Sequence, residues 1–141
     1  MLNHEYIVRI IETSAHFGFH TNQTKVLGKK LIRLKIPVFS IILPFEERDL
    51  LNNVCSYLGL AERVYTHQPY TKDGIERSPR SILHIRSLGS MKNIIMPFLC
   101  KNLQGVKLRK MDDWLNEIET SEFINESYKL VPRLYKSGYW S

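Results

Sequence analysis

The chain has 141 residues, 43% of them hydrophobic, with 20 Lys and Arg against 14 Asp and Glu, a formal net charge of +6 and a pI of about 9.4. That supports one ordinary core, while no apolar run reaches the roughly 18 residues a membrane span needs. The start, MLNHEYIVRI, lacks the basic stretch and apolar centre of a signal peptide, and with an acid and few Ser or Arg it is a poor transit peptide.

In chain order, Asn3–Thr13 reads as a helix, because Ile7, Ile10, Ile11 and Ser14 recur on one face at helical spacing. His16–Lys25 alternates, with Phe17 and Phe19 on one side and His16 and His20 on the other. The pair Leu27-Gly28 turns the chain. Lys30–Leu43 is the clearest strand: Ile32, Leu34, Ile36 and Val38 share one face, and Arg33 and Lys35 the other. Pro37 suits an edge or a bulge.

Glu46–Leu60 is helical, with Leu50, Leu51, Val54, Cys55 and Leu58 inward and three acids in the first turn, where the helix dipole favours them. Gly59 marks its end. Arg63–Gln68 and Arg80–Ser87 form a second hairpin around a loop at Tyr70–Glu76, where Asp73-Gly74 is a turn signal. Ser90 caps a short helix that Pro97 limits. A last helix covers about Lys107–Glu119, with Leu108, Met111, Leu115 and Ile118 inward. The order predicts an α+β fold with a four-stranded antiparallel sheet, one face buried under helices and one solvated. Cys55 and Cys100, both in apolar helical surroundings, read as buried free thiols rather than zinc ligands.

Charge is segregated. No acid lies between Thr13 and Phe45, or between Arg77 and Met111, while acids gather at Glu46–Asp49 and Asp112–Glu126. Separated charge of this kind fits a polyanion such as nucleic acid. The outward strand positions are His20, Asn22, Arg33, Lys35, Arg63, Tyr65, His67, Arg80, His84 and Arg86, with Lys25 and Lys30 flanking the first turn. These side chains include no acid, whereas a merely solvated face mixes signs. Arg pairs with guanine, Asn with adenine, and His and Tyr stack on bases. The tail SYKLVPRLYKSGYWS interleaves Lys129, Arg133 and Lys136 with Tyr128, Tyr135, Tyr139 and Trp140. That mixture suits unpaired bases and phosphates, so a large RNA or ribonucleoprotein is expected to order it. The other reading is a tail strapped across its own core.

IVRIIETSA at Ile7–Ala15 resembles the LAGLIDADG motif of homing endonucleases and maturases. Ile7, Val8, Ile10 and Ile11 stand on its apolar positions, Glu12 on its first acid, Ser14 on its second acid and Ala15 on its closing glycine. Residues 16–44 resemble the family's first hairpin, and EERDLLNNVCSYLGL its next helix. MKNIIMPFLCKNLQGVKLRKMDDWLNEIE resembles its later helix, turn and helix, with Leu103, Gly105 and Lys107 on the pattern and Asn102 in place of a proline. The resemblance covers about residues 5–120 and implies an αββαββα domain there, with 121–141 as a basic, aromatic extension.

The resemblance also implies magnesium-dependent phosphodiester hydrolysis, with metal held by carboxylates at the tips of two motif helices and Lys107 as the active-site lysine. Ser14 is neutral and cannot play the metal-binding acid. Arg9 and Val8 replace the small residues through which two motif helices pack, which argues against a homodimer through that helix. The leading expectation is a nucleic-acid-binding protein that has lost cleavage. It favours RNA over DNA, needs no cofactor, and serves as a structural or maturase-like component of an organellar ribonucleoprotein, the ribosome included, in a mitochondrial or other organellar matrix. The alternatives are an active homodimeric magnesium endonuclease and a protein–protein scaffold.

Overall fold

A computed structural model describes the backbone of residues 3–141 apart from 29, 69 and 73, and the side chains of these apart from 22–27, 30–32, 70–72, 76 and 77. Asn22, Lys25 and Lys30 therefore lie outside the described side chains, as does Asp73. The element order is α1 (His4–Ser14), β1 (Ala15–Leu27), β2 (Lys30–Pro44), α2 (Arg48–Leu58), β3 (Tyr65–His67), β4 (Tyr70–Lys72), β5 (Ile75–Arg77), β6 (Arg80–Ile85), α3 (Leu88–Ser90), α4 (Met96–Asn102), α5 (Gly105–Thr120) and α6 (Leu130–Lys136). This is an α+β fold. Its four-stranded sheet runs β1-β2-β6-β3, and β4 pairs with β5 in a separate ribbon. Among the described residues no helix is long and apolar enough to cross a membrane.

The chain forms two compact units, one of residues 1–16 and 39–85, the other of 17–38 and 86–141. In the first, Asn3 caps α1 by accepting from the Tyr6 N–H, and α1 buries Ile7, Ile10 and Ile11. A 3₁₀ turn at Phe45–Glu47 leads into α2, which buries Leu51, Val54 and Cys55. The helix ends at Gly59, whose φ of 76° is one that only glycine adopts without strain. β2 and β6 run antiparallel with Phe39 opposite Ile85, Ile41 opposite Leu83 and Leu43 opposite Ser81. All six of these side chains are buried.

The second unit is built around α5, which buries Met111, Trp114, Leu115 and Ile118. Trp114 is absent from the apolar set read from the sequence, yet it anchors the helix. Its ring lies 5.2 Å from Phe17 on β1, and its Nε1–H donates to the Gly18 carbonyl at 2.9 Å. A Cβ on Gly18 would meet Val38 only at ordinary van der Waals distance, 3.9 Å, so space alone does not require glycine here.

Two helix boundaries differ from the sequence reading. Ser87, not Ser90, caps the helix after β6, its hydroxyl accepting from the Ser90 N–H. Pro97 does not end that helix. The chain stays helical from Leu88 to Asn102 because Met91–Ile95 widens into a π turn just ahead of the proline. A proline ring inside an α-helix collides with the carbonyl four residues back and removes a donor. Shifting the bonding to i, i+5, as in Met96 N–H to Met91 O, relieves both.

The tail is also different from an extension awaiting a partner. Asn125 caps a 3₁₀ turn at Glu126–Lys129, which runs into α6. α6 packs on α5, burying Val131 and Pro132. Ile124 bridges to Lys35 on β2, whose N–H donates to the Phe123 carbonyl at 2.9 Å. The tail is therefore ordered by its own chain.

Trp114→Phe keeps a ring at this position but strands the Gly18 carbonyl. It should destabilise the protein by about 1–2 kcal/mol, and Trp114→Ala, which also leaves a cavity, by about 3–5 kcal/mol. Urea titration checks both, with the midpoint falling and the slope unchanged for the Phe variant.

Candidate nucleic-acid interface

In the first unit, register decides which side chains stand together. Ser40 lies opposite His84, Ile42 opposite Ile82, Pro44 opposite Arg80, Tyr65 opposite Ile82 and His67 opposite Arg80. Tyr65, His67, Arg80 and His84 therefore share one sheet face, as alternation predicts. The Ser40 hydroxyl and His84 Nδ1 are 2.6 Å apart, and the Tyr65 ring sits 5.3 Å from the imidazole. Ser40 itself is buried, which explains why its hydroxyl needs this bond. It was not anticipated; a serine between Phe39 and Ile41 gives little sign of its partner. Tyr65 and Arg80 are exposed, as is Arg63 just before β3. Among the described residues no ion pair engages Arg63 or Arg80.

In the second unit, His20 and Arg86 come together, with Arg86 Nη1 3.4 Å from His20 Nδ1. Burial, and then the Arg86 charge, hold the His20 pKa below its ordinary value. Arg33 is exposed. Lys35 is not part of an open face. Its ammonium lies 3.2 Å from Glu117 on α5 and 5.5 Å above the Phe19 ring. The sequence reading assigned it outward by alternation. These contacts put it on the side of Phe19, which α5 occupies, and Arg33 two residues earlier on the same strand shares that side.

The tail cations are likewise engaged within the chain. Lys129 lies 3.6 Å and Arg133 3.4 Å from Glu126, and Lys136 lies 2.8 Å from Glu119. Each already has a carboxylate partner, so the tail is not a free basic strip. These pairs are partly exposed and stabilise the fold only modestly. Lys107 stands in the first turn of α5, half-buried. Burial, and then Lys110, lower its pKa. Its helix begins at Gly105, where φ is 67°. A cation at a helix N-terminus is disfavoured unless an anion joins it.

The tip of α1 carries hydroxyls. Thr13 Oγ1 donates to the Arg9 carbonyl at 2.9 Å and approaches that of Ile10 at 3.3 Å. Ser14 Oγ lies 3.3 Å from Thr13 Oγ1, placing Ser14 as the donor in that pair. Glu12 is exposed and two residues away, on a different side of the helix. A hard divalent cation needs carboxylate or carbonyl oxygens; neutral hydroxyls engaged with their own helix do not fit one. Among the described residues no three His, Cys, Asp or Glu side chains gather as a metal site. Arg9 is exposed and Val8 half-buried, so in this chain the arginine carries no burial cost. Cys55 is buried and Cys100 half-buried. Burial raises both thiols, Glu62 adding to it at Cys55 and Asp112 at Cys100, which makes them poor nucleophiles.

This helix, hairpin, helix and hairpin order is the fold of the LAGLIDADG homing endonucleases. The structure of the I-LtrWI LAGLIDADG homing endonuclease bound to target DNA matches 97% of this chain with a TM-score of 0.64 and 19% identity. Meganuclease I-SmaMI bound to uncleaveable DNA matches 96% with a TM-score of 0.62 and 15% identity. The group I intron-encoded homing endonuclease I-CeuI complexed with DNA matches 95% with a TM-score of 0.57 and 14% identity. The chain spans 38%, 44% and 55% of those three chains respectively. No family model matches the sequence, and no curated protein does.

Tyr135 on α6 donates to Asp112 on α5 at 2.7 Å. That bond, with burial and the Asp112 charge, pushes its pKa up to about 12. A group raised in the folded state contributes stability below its unfolded pKa and loses it as pH rises through the folded one. The tail contact should therefore hold up to about pH 10, the ordinary tyrosine value, and weaken from there towards about 12. Tyrosinate absorbance checks this: Asp112→Asn should bring one tyrosine back towards the ordinary range.

Proposed function

We propose that this chain is a nucleic-acid-binding protein that uses the open sheet face of a LAGLIDADG-type fold and does not itself carry metal-dependent cleavage at α1. The observation that carries the reading is the exposed, uncompensated cationic set beside aromatic side chains. In the first unit it is Arg63 and Arg80 with Tyr65, His67 and His84; in the second it is Arg86 with His20. Lys35 facing α5 and the cations on α6 are paired with acids, whereas among the described residues these three arginines are not. Side chains left unpaired on a folded surface are free to displace counterions from phosphates.

The three similar structures named above are complexes with DNA. The face of this chain is equally suited to backbone phosphates of RNA, with Tyr65 and His84 stacking on unpaired bases. Our reading assigns it to RNA, as a structural or maturase-like component of an organellar ribonucleoprotein. The hydroxyl tip of α1 supports binding without hydrolysis, because neither Thr13 nor Ser14 supplies a charge to hold magnesium. The second reading is an active homodimeric, magnesium-dependent DNA endonuclease, favoured by the DNA-bound proteins that share its fold.

The log of the binding constant should fall linearly with log salt. Arg80→Ala should weaken binding across sequences and reduce the magnitude of that slope by about 1, the change expected when one phosphate is no longer neutralised. Competition between RNA and duplex DNA of one sequence should favour RNA, and supercoiled plasmid with magnesium should stay uncut. Nicking or linearisation that Lys107→Ala abolishes would establish the second reading, and salt-indifferent binding would remove both.

A further inference from the structure

Arg86 follows directly on β6, where the strand has ended and its own ladder no longer fixes the backbone. Two other segments hold it. The Tyr128 hydroxyl, from the 3₁₀ turn before α6, donates to the Arg86 carbonyl at 2.9 Å across a separation of 42 residues. At the far end of the side chain, Nη1 lies 3.4 Å from His20 Nδ1 on β1. Most cations with a partner in this unit face carboxylates: Lys35 faces Glu117, Lys129 and Arg133 face Glu126, and Lys136 faces Glu119. Arg86 instead faces a neutral ring nitrogen, so its direction is set while its charge is not cancelled.

Tyr128 is itself held in place. Ser127 N–H donates to the Asn125 side chain at 2.9 Å, Tyr128 N–H donates to the Asn125 carbonyl at 3.1 Å, and Ile124 is buried beside Lys35 on β2. The phenol is half-buried. The tail thus reaches Arg86 through a rigid turn rather than a loose end.

We propose that Tyr128 is a positioning residue for phosphate binding: it fixes the Arg86 backbone so that the guanidinium, steadied by His20, is presented ready to meet a phosphate of the bound nucleic acid. This rests on the nucleic-acid reading above. It gives the C-terminal segment a role in binding without any of its own cations touching the ligand. The gain is pre-organisation, because an arginine already held in its bound direction loses less freedom on binding. One immobilised side chain of this kind changes affinity by about three- to tenfold.

The test uses the full chain with a labelled random-sequence RNA and the DNA duplex of the same sequence. Tyr128→Phe removes only the hydroxyl. It should weaken binding of the preferred probe about three- to tenfold, and should add nothing in an Arg86→Gln background, since residues acting through one contact are not additive. His20 supplies a readout that needs no ligand. Its titration, followed by NMR, should move up towards the ordinary histidine value in Tyr128→Phe, as it does in Arg86→Gln, because the guanidinium no longer stays beside it. Unchanged affinity in Tyr128→Phe would overturn the inference while leaving nucleic-acid binding intact. An equal loss in the Arg86→Gln background would also overturn it, by showing that Tyr128 touches the ligand itself. A wild-type chain that binds neither probe would remove the nucleic-acid reading and the inference with it, a result distinguishable from the first two.

Discussion

A buried indole must find an acceptor for its N–H, and in this chain Trp114 finds the Gly18 carbonyl. That one bond, with the Phe17 contact, fixes the rotation of α5 against β1. Once the rotation is set, the acids of α5 have fixed neighbours. Glu117 meets Lys35, Asp112 meets Tyr135 and Glu119 meets Lys136. The last two hold α6, and the turn before α6 brings Tyr128 to Arg86. A helix rotated by one residue, about 100°, would break every link. The indole sets the geometry, while the ion pairs that follow are exposed and add little energy each.

The same helix divides the charge of the protein. Acids of α5 and of the following turn neutralise Lys35, Lys129, Arg133 and Lys136. Arg63, Arg80 and Arg86, in or beside strands, are exposed and enter none of these pairs. Arginine suits this work: its guanidinium is always charged, planar and weakly hydrated, so it meets phosphate or guanine with two bonds at once. A count of Lys and Arg along the chain would rank the tail with the strands. Pairing within the fold separates them.

Much of this was legible in the sequence. Apolar spacing located α1 and its buried Ile7, Ile10 and Ile11, Gly59 marked the end of α2, and alternation placed Tyr65, His67, Arg80 and His84 on one face. What alternation cannot say is which face a helix will cover, and so Lys35 was misplaced. Trp114 was readable in principle, since Met111, Trp114, Leu115 and Ile118 are spaced i, i+3, i+4 and i+7. The π turn was not, because proline forbids an α-helical bond without saying whether the chain will stop or widen. The short ribbon of β4 and β5 hid in a polar loop too brief to show a period. The tail misled for a physical reason: its basic and aromatic residues suit RNA and an acidic helix equally, and the acidic helix is in the same chain.

The tip of α1 shows why fold and chemistry separate easily here. Carbonyls at a helix C-terminus carry partial negative charge, so an acid there is disfavoured by about 0.3–1 kcal/mol. A nuclease that keeps such an acid accepts that cost because a divalent cation offsets it. Without a cation, a hydroxyl does better. Thr13 returns a hydrogen bond to the Arg9 carbonyl, and Ser14 bonds to Thr13 in turn. These contacts satisfy the two hydroxyls within the last turn of their own helix. A serine at this position therefore suits the helix end, and its neutral hydroxyl does not fit a hard divalent cation.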